Sequence, residues 1–209
     1  MSAFLGPIHT WLYNKIKFQD AMTDAILDFA EENGCGKELR ARTDGRYGVL
    51  EKGNLEDMID TGNIHGWLQE KVSLVENRLA YVVTELIEPD QERLSHIVHA
   101  VMEFGKRNSA DKNITVRKAY DYLESTLLNG MPCDRVNELV QETEDNMVWR
   151  QTQDIHGAYW TMIHGDVTHY YALRESLIKG MFEDSEMEFH QIEDQVYELR
   201  RRLCTESIF

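Results

Sequence analysis

Four of the eight histidines in this 209-residue chain directly follow an isoleucine, and tryptophans lie close by in sequence. Imidazole binds transition metals and haem iron, and it transfers protons near neutral pH. The four histidines that we predict as metal ligands are His9, His65, His156 and His164. Aromatic rings near them could form the walls of a cofactor site. The rings that we predict as cofactor contacts are Trp11, Trp67, Trp160 and Tyr159.

The first two of these segments are similar beyond the histidine. Residues 6–12 and 62–68 are identical at five of seven positions, and the similarity continues downstream, where Lys15 corresponds to Lys71 and Asp20 to Glu76. Such a match predicts an internal duplication of two long helices, residues 1–34 and 62–88. A connection of roughly 30 residues could return the chain, so that the two helices lie parallel.

A parallel arrangement is a condition for a shared site. His9 and His65 each fall in the first turn of their helix, where the helix dipole favours the neutral imidazole that binds a metal. If the helices were antiparallel neighbours, the two rings would lie far apart. Carboxylate ligands would have to come from other helices, and the candidates are Glu76, Asp154 and Asp166.

The later histidines form a second pattern. His156, Trp160 and His164 are four residues apart, which places them on one side of a helix if that segment is helical. A packing role explains all of these histidines equally well, because a buried imidazole can bond a backbone carbonyl beside a core tryptophan. His96, His99 and Glu103 also have the spacing of metal ligands, but they lie opposite the apolar face of their helix.

Several established motifs are absent from the sequence. It has no Glu-x-x-His of di-iron bundles, no Cys-x-x-Cys-His for covalent haem, no His-Glu-x-x-His and no Gly-rich phosphate loop. Three cysteines without a Cys-x-x-Cys pair argue against a thiolate zinc site and favour a reducing cytoplasm. The N-terminus lacks the basic and apolar regions of a signal peptide.

Composition and helix signals together predict the fold. With 42% hydrophobic and 28% charged residues, the chain has the balance of a globular protein. All three prolines fall where helical patterns begin or end. We therefore predict an all-α fold, a single helical-bundle domain over residues 1–209 with about five to seven helices. One helix would start at Pro132, and a charged helix over residues 184–204 would serve docking or oligomerisation; residues 35–62 stay unassigned.

The net charge of −15 bears on partners. A surface this negative repels phosphate backbones and anionic lipids, so neither nucleic acid nor membrane is an expected partner. The acidic helix at the C-terminal end could bind a protein partner or form a homodimer.

Three functions remain open at this point. The first is a cytosolic bundle that binds iron or haem through the Ile-His segments, with a redox, sensing or storage role. The second is a metal-free scaffold or adaptor in which these segments only pack. The third is a small-molecule-binding protein or enzyme with a pocket lined by His, Tyr and Trp.

Overall fold

The computed structural model describes residues 5–202, which form a set of helices packed against a four-stranded antiparallel sheet. The helices are α1 (Pro7–Glu32), α2 (Leu39–Tyr47), α3 (Leu55–Met58), α4 (Ile64–Ile87), α5 (Arg93–Arg107), α6 (Val116–Thr126), α7 (Gly157–Thr161) and α8 (Val167–Met181). The strands are β1 (Asn137–Glu142), β2 (Asn146–Gln151), β3 (Met187–Glu193) and β4 (Val196–Arg201), in the order β1-β2-β4-β3.

The all-α prediction is therefore wrong. The segment predicted as a helix from Pro132 contains β1 and β2, and the predicted C-terminal helix over residues 184–204 contains β3 and β4; its last two residues lie outside the described part. In β3, Met187 and Phe189 are buried on either side of the partly exposed Glu188, which is the two-residue period of a strand. The predicted acidic docking helix is a β-hairpin instead. The prediction that this helix binds a protein partner or forms a homodimer therefore has no structural basis.

Three helices begin at residues with clear start signals in the sequence. α1 begins at Pro7, where the missing N–H has no partner to lose. Thr115 and Asp166 each accept a backbone N–H at the start of α6 and α8, which is the usual role of threonine and aspartate at an N-cap. None of the helices among residues 5–202 is long and apolar enough to span a membrane.

Helices α1 and α4 run parallel to each other, side by side. Their contacts follow the same order along both helices: His9 meets His65 with ring centroids 5.6 Å apart, Tyr13 meets Trp67, and Asp20 pairs with Arg78. The N-terminal ends of the two similar segments therefore lie together. The duplication itself stays a prediction, but the geometry on which a shared site depends is present.

Helices α5 and α8 approach closely through two glycines. A Cβ atom on Gly105 would clash with the carbonyl oxygen of Leu177, and one on Gly180 would clash with the carbonyl oxygen of Met102. Both obstacles are backbone atoms, which cannot rotate away. This contact holds α8, and with it the sheet, against the helical layer.

We expect Gly105→Ala to destabilise the protein by about 1–3 kcal/mol, because the added methyl forces the two helices apart. Gly45 in α2 is the matched control, since a Cβ atom there meets nothing within 4 Å. Gly45→Ala should be neutral or stabilise by roughly 0.5–1 kcal/mol through helix propensity. Urea denaturation of both variants measures the difference. Equal stability of the two would show that the close approach does not matter.

Candidate functional site

The inward face of α1 carries three buried polar side chains, Lys15, Gln19 and Thr23, among apolar ones. Lys15 and Gln19 are four residues apart, so they lie one above the other, and they are only 3% and 4% exposed. Leu12 and Ile16 flank them and are fully buried. A lysine on the buried face of a helix loses the hydration of its charged amine. This costs free energy unless a hydrogen bond or an opposite charge replaces the water.

A second buried cation comes from α8. Arg174 is 5% exposed, and its Nη1 donates to the Oε1 of Gln151 at 2.9 Å. Its guanidinium lies 5.3 Å from the centroid of the Tyr197 ring. Its Nε–H has no hydrogen-bond partner. Arg174 is therefore buried with a free donor.

The segment after α6 completes the site. Asn129 is buried, and neither its amide nitrogen nor its amide oxygen has a hydrogen-bond partner. It lines a cavity of about 90 Å³, which we call the Lys15 cleft and define by six of its lining residues: Trp11, Lys15, Glu124, Asn129, Arg135 and Asn137. A smaller cavity of about 20 Å³ lies beside Gln19 and Arg174. Arg174 lines this smaller cavity and not the Lys15 cleft.

Burial changes the acid–base behaviour of Lys15. The pKa of its amine is lowered to about 8: desolvation is the largest cause, the carboxylate of Glu124 opposes the shift, and the positive charge of Arg174 adds a smaller part to it. Lysine near neutral pH is then a mixture of ammonium and free amine. Its Nζ lies 4.1 Å from the centroid of the Trp11 ring, at the wall of the cleft.

The two cations lack carboxylate partners. Among residues 5–202, the buried ion pairs are those of Arg78 with Asp20 and Asp44, and that of His156 with Glu76. Lys15 and Arg174 take part in none of them. Buried charges in proteins are normally paired, and Lys15 has only the carboxylate of Glu124 near it, in the same cleft.

The sequence-predicted pair His9 and His65 lies elsewhere, at the helix N-termini. The Gly6 N–H donates to the Nδ1 of His9 at 2.9 Å, so the proton of the neutral ring is on Nε2. His9 therefore caps α1, and its Nε2 has no lone pair to offer a metal in this tautomer. Both rings line a mainly apolar cavity of about 190 Å³, together with Cys133.

His156 is separate from that pair and lies in the core. It is fully buried, and its Nδ1 is 3.1 Å from both carboxylate oxygens of Glu76. Its ring stacks on Tyr170 with centroids 3.8 Å apart. Glu76 lies eleven residues beyond His65 on α4, which is about 16 Å along the axis. One metal ion cannot be held by His156 and His65 together.

The remaining predicted site residues are scattered. His164 is exposed in the turn after α7 with φ 59°, whereas Trp160 is fully buried. The Tyr159 hydroxyl is 3.1 Å from the Ser73 hydroxyl, and Trp67 packs on Tyr13. Because α7 has only five residues, the predicted stripe on one helix is wrong. In the described part of the chain, no three His, Cys, Asp or Glu side chains come together as a metal site.

No protein-family model matches this chain, and no match is found among curated proteins or solved structures. The site must therefore be interpreted from its own geometry. Of the predicted cofactor contacts, Trp11 alone lines the Lys15 cleft. Lys15 itself was missed, although the signal was present: Lys15 and Gln19 interrupt the apolar row of α1 at helical spacing.

Proposed function

We propose that the protein binds a small carboxylate-bearing molecule in the Lys15 cleft. The observation that carries the proposal is that the buried Lys15 and the buried, unpartnered amide of Asn129 line the same cavity. A ligand carboxylate would accept from the Lys15 ammonium in a charge-assisted hydrogen bond. The Nδ2 of Asn129 supplies a second donor.

The volume of the site limits the ligand. At about 10–15 Å³ of cavity for each water-sized atom, the Lys15 cleft of about 90 Å³ has room for on the order of six non-hydrogen atoms. A two- to four-carbon organic acid has this size. The net charge of −15 offers no general attraction for an anion, so binding depends on these local donors. We place the activity in the cytoplasm, where the thiols of Cys35 and Cys133 stay free.

Acetate and pyruvate are suitable probes for this proposal. We expect both to raise the melting temperature of the protein and to bind in ligand-observed NMR, and we expect Lys15→Met to abolish both effects. Binding should weaken as the pH rises through about 8, because the free protein then loses the Lys15 charge that favours the anion.

Lys71 provides the matched control for Lys15. It is the corresponding residue in the second repeat, and its Nζ lies 4.9 Å from the centroid of the Trp67 ring, but the side chain is partly exposed. Lys71→Met should leave acetate and pyruvate binding unchanged. Equal binding by wild type and Lys15→Met, or no binding by wild type, would contradict the proposed function.

A further inference from the structure

The Lys15 cleft is lined by charged groups of both signs. Lys15 on α1 carries a positive charge, and Glu124 carries a negative one on α6, which packs against α1. Within residues 5–202 no ion pair joins the two side chains, although they line one cavity. A cavity lined by a cation and an anion that do not pair with each other matches a ligand that carries both charges.

The two asparagine amides of the cleft show the same double character. Asn129 is 9% exposed, and both its Nδ2 donor and its Oδ1 acceptor are buried without a partner. The Nδ2 of Asn137 donates to the Oε1 of Glu124 at 2.6 Å, which orients that amide and leaves its buried Oδ1 without a donor. A carboxylate only accepts hydrogen bonds, so it cannot satisfy either amide oxygen. The cleft therefore suits a ligand that donates as well as accepts.

We propose that the ligand of the Lys15 cleft is a small α-amino acid in its zwitterionic form. This inference rests on the proposed function, because the carboxylate of the amino acid is the group that Lys15 and the Nδ2 of Asn129 would bind. Its ammonium has three N–H donors. The carboxylate of Glu124 and the amide oxygens of Asn129 and Asn137 would accept from them.

The size and the charge of the cleft favour such a ligand. The volume of about 90 Å³ has room for on the order of six non-hydrogen atoms, which is the size of glycine or alanine. A zwitterion has no net charge, so the protein's net charge of −15 does not repel it. Arg135 also lines the cleft, but it is exposed, so water and salt screen its charge.

Three ligands of equal size test the two charged groups of the amino acid separately. Glycine carries both groups, glycolate has a hydroxyl in place of the ammonium, and glycinamide has an amide in place of the carboxylate. We expect isothermal titration calorimetry at pH 7 to show that wild type binds glycine on the order of tenfold more tightly than either of the other two. Tenfold corresponds to the loss of one charge-assisted hydrogen bond.

Glu124→Gln tests the ammonium site directly, because it removes the negative charge and keeps an oxygen that can accept from Asn137. The preference for glycine over glycolate should fall on the order of tenfold, so that the two bind about equally. Any change in the charge of Lys15 acts on the carboxylates of both ligands alike, so the ratio of the two affinities reports on the ammonium. Asp121→Asn is the matched control, since it removes the same charge from an exposed position of α6 and should leave the ratio unchanged.

The outcomes distinguish this inference from the proposed function. Equal binding of glycine and glycolate to wild type would overturn the amino acid and leave the carboxylate site intact. An unchanged ratio in Glu124→Gln would also overturn it, and if that variant does not fold, the comparison on wild type decides. Binding of glycinamide as tight as that of glycine, or no binding of glycine, glycolate and acetate, would overturn both proposals.

Discussion

Lys15→Met should make the ligand-free protein more stable, although it removes the proposed binding site. A lysine whose pKa falls from 10.5 to about 8 on folding carries a cost of about 3 kcal/mol when protonated. Methionine has a similar shape and no charge to bury. We expect a gain of about 1–3 kcal/mol at pH 7, or roughly 2–4 °C in melting temperature for each kcal/mol.

The pH dependence gives this prediction a sign that can be checked. Between pH 8 and 10.5 the unfolded chain holds a proton on Lys15 that the folded protein has lost, so wild-type stability rises with pH in this window. The gain in free energy of unfolding of Lys15→Met over wild type should have its full value below pH 8 and disappear near pH 10.5. Urea denaturation at several pH values measures it. Lys71→Met should show neither the gain nor the pH dependence, and a loss of stability in Lys15→Met would contradict the prediction.

A stabilising substitution at a buried charge has a functional meaning. Natural proteins keep destabilising groups where activity needs them, and the cost is recovered when the ligand binds. Burial disfavours the Lys15 ammonium, and the carboxylate of Glu124 opposes this penalty only in part. A bound anion would reduce the penalty further. Packing alone gives no reason to retain the lysine.

The long helices were predictable because each local signal agreed with its neighbours. Pro7 at a helix start, the caps at Thr115 and Asp166, and a sustained apolar face over α1 and α4 all indicate helix. Such agreement between local propensity and pattern makes a segment readable from sequence. The sequence showed that α1 and α4 must be parallel if they share a site, but it did not predict that they are. Nothing in either helix specifies which helix it packs against.

The two hairpins were missed for local reasons. Gln195, in the turn between β3 and β4, has a positive φ of 55°. Glycine or asparagine is the usual residue in such a turn and would have indicated a hairpin in the sequence. β1 is exposed at nearly every position, so it carries no alternation at all. Acidic residues fill both hairpins, and their apolar positions also fit helical spacing. Tertiary packing against α6 and α8 decides the strand conformation there.

The candidate site was only partly visible in the sequence because its members come from distant segments. Histidine repetition is conspicuous, whereas a lysine in an apolar row is easily taken as a solvated face. Lys15 is on α1, Glu124 is on α6, and Asn129 follows α6. Their convergence depends on how α1 and α6 pack, which the sequence does not state. The repeated His and Trp residues are easy to recognise in the sequence. The candidate site is defined instead by the burial of a common residue type, lysine, which only the structure shows.

The His156–Glu76 pair should make a large contribution to stability. His156→Phe would leave the Glu76 carboxylate in the core without a partner, since both residues are almost completely buried. Breaking a buried pair in this way typically costs about 3–5 kcal/mol. Glu76→Gln keeps an oxygen that can accept from the His156 ring, so we expect a smaller loss of about 1–2 kcal/mol.

A double substitution separates pairing from packing. His156→Phe with Glu76→Leu removes both polar groups, so the pair is replaced by apolar contact and the double variant should be more stable than His156→Phe alone. His190 and Glu188 form an exposed pair of the same type, and His190→Phe should change stability by less than about 1 kcal/mol. Urea denaturation of wild type, His156→Phe, Glu76→Leu and the double variant gives the coupling free energy. Losses that simply add would mean that His156 and Glu76 act independently, and the imidazole would then be free for another role in the core.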